Sequence, residues 1–189
     1  MEIHIPGEFM PPNIGDKIVD LNLLVRAGGV NGKRVLNQGP SFPIDEILLG
    51  PYAQSWTAVD SDLSIIKRSE LLGLHPKINF VYDSIVKMPE EWSQSFDLVI
   101  NFSTLDNIEP EFHSRCFAEI GRVLVSGGMF IMTYGNEATF HEKIVRSNNW
   151  IEYRFNEGEI SEHCTQNKMK ALWFDSSRDR ASVIAMKTE

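Results

Sequence analysis

Two residues set the first chemical expectation. Gly39 follows the apolar run RVLNQ, and Asp60 closes the run SWTAVD 21 residues later. A glycine after one strand lets the backbone approach a ligand. A carboxylate at the end of the next strand, about 20 residues on, accepts hydrogen bonds from ribose hydroxyls. Ser61 and Asp62 adjoin the acid, and Asp62 is a second candidate acceptor. The competing expectation is that Asp60 only caps the following helix. The loop itself, RVLNQGPSFPID, departs from a dinucleotide-binding pattern, because Pro40, Ser41, Phe42 and Pro43 stand where further glycines would be. Asp45 and Glu46 fall in the first turns of a short helix after Pro43, and two carboxylates there repel a pyrophosphate. None of Tyr52, Tyr82, Tyr134 or Tyr153 has Lys four residues later, so a nicotinamide-dependent reductase of the short-chain type is the weaker reading.

The elements that must position these residues alternate along the chain. After a proline-rich arm, Asn13 can cap a helix whose apolar residues Ile14, Ile18, Leu21 and Val25 fall on one face, with Gly28-Gly29 as its stop. Strands are expected at 34–38, 55–60, 78–82 and 96–102, and the near-continuous apolar run FDLVINF suits a strand buried on both faces. A helix spans 62–72. From Glu109, residues Phe112, Cys116, Ile120 and Leu124 repeat every four positions as an amphipathic helix, Gly127-Gly128 end the segment, and 129–134 form another strand. A helix over about 138–148, a strand at 151–155, and two strand-like stretches at 171–174 and 182–186 complete the pattern. The polar stretch 156–170 reads as a surface insertion or lid. Alternation of this kind indicates an α/β layer architecture with the site at the carboxyl ends of the strands.

Composition narrows the classes. A chain of 189 residues with 42% hydrophobic and 23% charged residues can form one compact domain. A net charge of −8 argues against gripping nucleic acid by phosphate neutralisation. Two cysteines without a CxxC pair give no disulfide framework and no metal site. No apolar stretch approaches the ~20 residues that span a bilayer, and no secretion signal is evident. The expectation is a cytoplasmic protein without a membrane partner.

The stretch FDLVINFSTLDNIEPEFHSRCFAEIGRVLVSGGMFIMTYG, residues 96–135, carries a family resemblance. Its FDLV strand, the helix ending Arg122-Val123-Leu124, the Gly127-Gly128 turn and the next apolar strand resemble the class I S-adenosylmethionine-dependent methyltransferases, with a degenerate glycine-rich first motif. The resemblance covers roughly residues 33–135. It implies a Rossmann-like three-layer α/β/α sandwich, with a mostly parallel seven-stranded sheet and an antiparallel C-terminal strand. It also implies a single domain over 1–189, with residues 1–30 as an N-terminal arm and helix and 33–135 as the cofactor-binding core.

The same resemblance implies S-adenosylmethionine as cofactor and assigns places around it. Asn37 stands where the family has an acid, and its amide oxygen can accept from the ligand's ammonium. Gly39 keeps the close approach, and Ser41 or Pro43 replaces a glycine. Asp60 with Ser61 and Asp62 faces the ribose. Asp83 accepts from the adenine amino group, with Ser84 and Ile85 flanking the ring. Asn101 and Phe102, followed by Ser103, end the fourth strand beside the sulfonium methyl. Methyl transfer needs a base only where the acceptor must lose a proton. Asp106 is the first candidate, His141 the second, and Tyr134 a further one. His163 and Cys164 reach the site only if 156–170 folds over as a lid. The motif NFST is unlike the Asn/Asp-Pro-Pro-aromatic signature of DNA amino-methyltransferases, and neither cysteine follows a proline as in cytosine-C5 enzymes. The expected acceptor is therefore a small molecule. The alternative reading is an inactive methyltransferase-like binding or regulatory module.

Overall fold

The computed structural model describes residues 14–40, 43–136, 144–146, 150–176 and 180–189. Chain order gives α1 (Ile14–Arg26), β1 (Arg34–Gln38), α2 (Ile44–Leu49), β2 (Ser55–Asp60), α3 (Leu63–Glu70), β3 (Ile78–Tyr82) and β4 (Phe96–Phe102). Then follow α4 (Pro110–Val123), β5 (Leu124–Gly135), β6 (Ile144–Arg146), β7 (Trp150–Glu152), α5 (Glu157–Gln166), β8 (Met169–Asp175) and β9 (Arg180–Lys187). Seven strands form one sheet in the order β3-β2-β1-β4-β5-β9-β8. The β2–β1, β1–β4, β4–β5 and β2–β3 pairings are parallel, and β9 runs antiparallel to both β5 and β8. β6 and β7 make a separate antiparallel pair.

Successive residues of a strand face opposite sides of a sheet, so a strand covered on both faces must be apolar throughout. β1 is covered on both faces, through Val35 and Leu36. Val35 belongs to a core shared with Leu23, Leu24 and Ala27 of α1, whereas Leu36 packs in the core built with Cys116, Phe117 and Ile120 of α4 and Ile160 of α5. The two cores make the molecule a three-layer α/β/α sandwich. At the lower end of β1, Arg34 holds Asp97 of β4 in a two-pronged ion pair, with N···O distances of 3.0 and 2.8 Å.

Four local expectations are corrected. The buried face of α1 is Asp20, Leu23, Leu24 and Ala27, while Ile18 is 55% and Val25 75% exposed. Both sets have helical spacing, and the inner one prevails because Asp20 finds Arg180 at 3.1 Å and Lys17 at 3.2 Å. β5 begins at Leu124, and its glycines lie within the strand. Phe96 pairs with Leu124 but Leu98 with Met129, so residues 125–128 bulge out, with Gly127 at φ 77°. Of the helix expected over 138–148, the described part, 144–146, is strand, as β-branched Ile144 and Val145 favour; the remainder lies outside the described residues. The stretch 156–170 is no insertion or lid. Asn156 caps α5 by accepting from the Glu159 N–H at 2.9 Å, and Ile160, Cys164 and Met169 enter the core.

Ile120 is wholly buried between α4 and the sheet. Ile120→Ala is expected to cost about 2–5 kcal/mol. Urea titration checks it through a lowered midpoint at an unchanged slope.

Candidate functional site

Winding proceeds outward from β1 through β2 to β3, then reverses to β4 and β5. At such a reversal the connections leave in opposite directions and open a crevice at the carboxyl ends of the strands. Here β1 and β4 are joined across the crevice floor. The Asn101 amide donates to Gln38 Oε1 at 3.0 Å, and Thr104 Oγ1 donates to the Gln38 carbonyl at 2.8 Å. Asn101 Oδ1 in turn accepts from the N–H groups of Thr104 (3.3 Å) and Leu105 (3.1 Å), which holds the 3-10 turn Leu105–Asn107 against the strand end. Asn101 is thus wholly buried and structural on the side it shows.

Gly39 has φ 67° and donates its N–H to the Val59 carbonyl at 2.8 Å. A Cβ at this position would meet the Thr104 side chain at 2.4 Å, so both backbone conformation and space require glycine. Ser103 lies opposite in the left-handed region at φ 53°. A non-glycine residue held there stores backbone strain, and such residues concentrate at functional sites. Ser41 lies outside the described residues.

At the end of β2, Asp60 is half-buried, and its Oδ1 accepts from the Asp62 N–H at 2.8 Å. Burial raises its pKa. The capping role belongs to Asp62, whose carboxylate accepts from the Ser64 N–H at 2.8 Å; that bond holds its pKa low. Ser61 is exposed beside them. The structure therefore separates the two acids: Asp62 serves α3, and Asp60 remains at the crevice. At the end of β3, Asp83 accepts from the Ser84 N–H at 2.7 Å, and Ser84 Oγ accepts from the Val86 N–H at 3.2 Å. Ile85 turns into the core beside Met88, so it does not flank a ring in the crevice.

On the α1 face, Asn37 is buried, and its amide nitrogen donates to Glu46 Oε1 at 2.7 Å. Trp56 Nε1 donates to the same oxygen at 3.0 Å. Asp45 meets Lys17 at 2.7 Å, and the Lys17 ammonium lies 5.2 Å from the centre of the Phe102 ring. Asp45 and Glu46 are both buried, and one carboxyl oxygen of each is held by protein partners. Sequence reasoning marks these acids only as a repulsive pair. Lys17, Asp20, Thr133 and Arg180 it misses altogether. Arg180 donates to Thr133 Oγ1 at 2.6 Å and to Asp20 at 3.1 Å. The one available signal is Asp20 lying one helical turn before the apolar pair Leu23-Leu24.

Asp106 sits in the 3-10 turn after β4. Its Oδ2 accepts from the Gly135 N–H at 3.0 Å, whereas Oδ1 is buried without a hydrogen bond of good geometry among the described residues, the Ser103 side chain lying beside the carboxyl. Burial pushes its carboxyl up to about 7, helped by the nearby charge of Glu152. Tyr134 is also buried, its hydroxyl has no partner among the described residues, and burial with Glu157 and Asp106 raises its pKa well above the usual phenol range. Asp106 can thus exchange a proton near neutral pH, and Tyr134 stays protonated as a donor. His141 lies outside the described residues. His163 stacks on Phe117 at 4.7 Å, and Cys164 is buried in the core. Neither reaches the crevice.

The model of the methyltransferase-domain family matches residues 62–179. No curated protein sequence matches the chain. Solved structures resemble it in fold. An S-adenosylmethionine-dependent methyltransferase from Methanosarcina mazei has a TM-score of 0.71 at 18% identity, covering 87% of this chain and 97% of that one. The N-methyltransferase NodS from Bradyrhizobium japonicum, in complex with S-adenosylhomocysteine, has 0.74 at 15% identity, covering 94% and 90%. The 1,6-didemethyltoxoflavin N1-methyltransferase from Burkholderia thailandensis, with that compound and S-adenosylhomocysteine bound, has 0.71 at 15% identity, covering 94% and 80%. With the family model matching well over half of the chain, the chain belongs to the methyltransferase-domain family, and it shares the Rossmann-like fold of the S-adenosylmethionine-dependent methyltransferases it resembles.

Proposed function

We propose that residues 1–189 act as one domain that transfers a methyl group by in-line displacement to a small-molecule acceptor, with 33–135 as the cofactor-binding core. The residues at the crevice suit S-adenosylmethionine. Gly39 supplies the close backbone approach, half-buried Asp60 suits a ribose, and a buried carboxyl oxygen of Glu46 has no partner among the described residues. When bound, the cofactor supplies an electrophilic methyl on a sulfonium. The acidic net charge and the NFST strand end support a small acceptor over nucleic acid. The didemethyltoxoflavin enzyme of the same fold acts on such a molecule. The free, buried Cys116 and Cys164 suit a reducing compartment, the cytoplasm.

Asp106 is the observation that carries the mechanism. It lies after β4, beside strained Ser103, with one carboxyl oxygen fixed by Gly135 and the other without a hydrogen bond among the described residues. In this reading Oδ1 takes the proton from the acceptor's N–H or O–H as the methyl arrives. Tyr134 donates to the acceptor beside it. Alignment and desolvation supply the rest of the rate. Access to Asp106 runs past the chain after β7, where the Tyr153 N–H donates to the Asp106 carbonyl at 2.6 Å. His141 remains a second candidate base.

Calorimetric titration with S-adenosylhomocysteine tests the cofactor assignment. Micromolar binding by the wild type and a loss of about 10- to 100-fold in Asp60→Ala are expected, the worth of one or two charge-assisted hydrogen bonds. Absence of binding to the wild type would sink the reading. For the base, Asp106→Asn should lower kcat about 10²- to 10⁴-fold while leaving cofactor affinity nearly unchanged. Equal losses in both would remove Asp106 from the chemistry.

The same carboxyl predicts a pH dependence of stability. Its folded pKa, about 7, lies above its ordinary value of 3.8, so the fold retains a proton that the unfolded chain gives up. This contribution is fully present below about pH 4 and is lost as pH rises through about 7, with a slope of at most about 1.4 kcal/mol for each step of one in pH. Urea titrations between pH 4 and 8 should show the wild type losing stability relative to Asp106→Asn over that window.

A further inference from the structure

The Asn37–Glu46 pair is built for more than packing. Asn37 is the fourth of the five residues of β1, two positions before Gly39, and is 3% exposed. Glu46 comes from α2, is 0% exposed, and receives both the Asn37 amide and the Trp56 indole N–H on Oε1. Its other oxygen, Oε2, is buried with no hydrogen bond among the described residues. An interior carboxylate with an unpaired oxygen is costly, and it should be most stable when a donor reaches it. Burial raises the pKa of Glu46 to about 7, with Asp45 adding to the effect, so a cation brought beside it would favour the charged form.

The pair also fixes an orientation. A carboxylate only accepts hydrogen bonds, so the Asn37 amide must present its nitrogen to Glu46 and turn its oxygen away. That leaves two acceptors uncommitted among the described residues, the Asn37 oxygen on β1 and Glu46 Oε2 on α2, with the negative charge on the helix instead of the strand. A ribose at Asp60 on β2 puts the far end of an adenosyl ligand over β1 and β4, the next strands in the sheet. The amino-acid end of S-adenosylmethionine carries a primary ammonium with three donors, whereas its sulfonium has none.

We propose that Glu46 is the positioning residue for this ammonium: it orients the Asn37 amide oxygen as the direct acceptor and supplies the negative charge that β1 itself lacks. The inference rests on S-adenosylmethionine being the cofactor. Its subject is the amino-acid end alone, so a ligand without the amino group separates it from the rest of the cleft.

The test is calorimetric titration of the wild type, Glu46→Gln and the double variant Asn37→Asp/Glu46→Gln. Each is titrated with S-adenosylhomocysteine and with its analogue lacking the α-amino group. The wild type is expected to bind the analogue about tenfold more weakly or worse, the worth of one charge-assisted hydrogen bond. Glu46→Gln should lose that preference, to within about twofold, while its affinity for the analogue stays as in the wild type. The double variant, with the acid returned to the strand, should regain the preference, and it carries the test if Glu46→Gln fails to fold. Full discrimination in Glu46→Gln, or equal weakening of both ligands, overturns the role of Glu46. A wild type that binds S-adenosylhomocysteine but shows no preference overturns it as well. No binding by the wild type overturns the cofactor assignment itself.

Discussion

Everything functional in this molecule depends on how β1 and β4 meet. They are adjacent strands whose connections leave to opposite sides, so neither connection crosses their upper ends. The hydrogen bonds from Asn101 to Gln38 and from Thr104 to the Gln38 carbonyl hold those ends in fixed register. Because Thr104 comes within touching distance of Gly39, the loop after β1 is shaped by the turn after β4. The strained Ser103 and the buried Asp106 follow from the same turn. A change at the strand ends therefore acts at once on the loop after β1 and on the buried acid after β4.

A second layer of organisation concerns charge. The ionisable side chains of Lys17, Asp20, Asp45, Glu46 and Arg180 gather under the α1 face, where an apolar core would be simpler. Buried ion pairs seldom add net stability over apolar packing of the same shape. What they add is direction. Lys17 can bridge Asp20 and Asp45 only when α1 and α2 hold one relative placement, and Arg180 can reach Thr133 and Asp20 only from β9. The order of side chains around Asn37 and Phe102 is specified by partners that cannot be exchanged for grease.

The fold is legible in the sequence because strand periodicity and stop signals are local. Buried runs such as Phe96–Phe102 and the four-residue repeat through Cys116 and Ile120 declare themselves without any partner. The family is readable from the order of elements, and the antiparallel final strand comes with it. What fails is local pattern overruled by distant chemistry. Spacing favours the wrong stripe of α1 because Asp20 looks like a surface residue until Arg180 is placed beside it. The stretch 156–170 looks polar enough for a lid, although Asn156 followed three residues later by Glu159 is a helix-start signal with buried Ile160 and Cys164 behind it. Around the crevice, the spacing of Gly39 and Asp60 foretells their place at adjacent strand ends, whereas the inward turn of Glu46 depends on Trp56, a strand away.

The ion pair between Asp20 and Arg180 spans 160 residues of sequence. During synthesis α1 is made before every strand of the sheet, yet its charged face meets Arg180 only once β9 has emerged. Long-range closures of this kind are slow, because chain entropy must be given up before the contact rewards it. The order of manufacture and the order of assembly are therefore opposed at this corner. The α1 side of the molecule is made early, yet its charged corner closes only with the last strand.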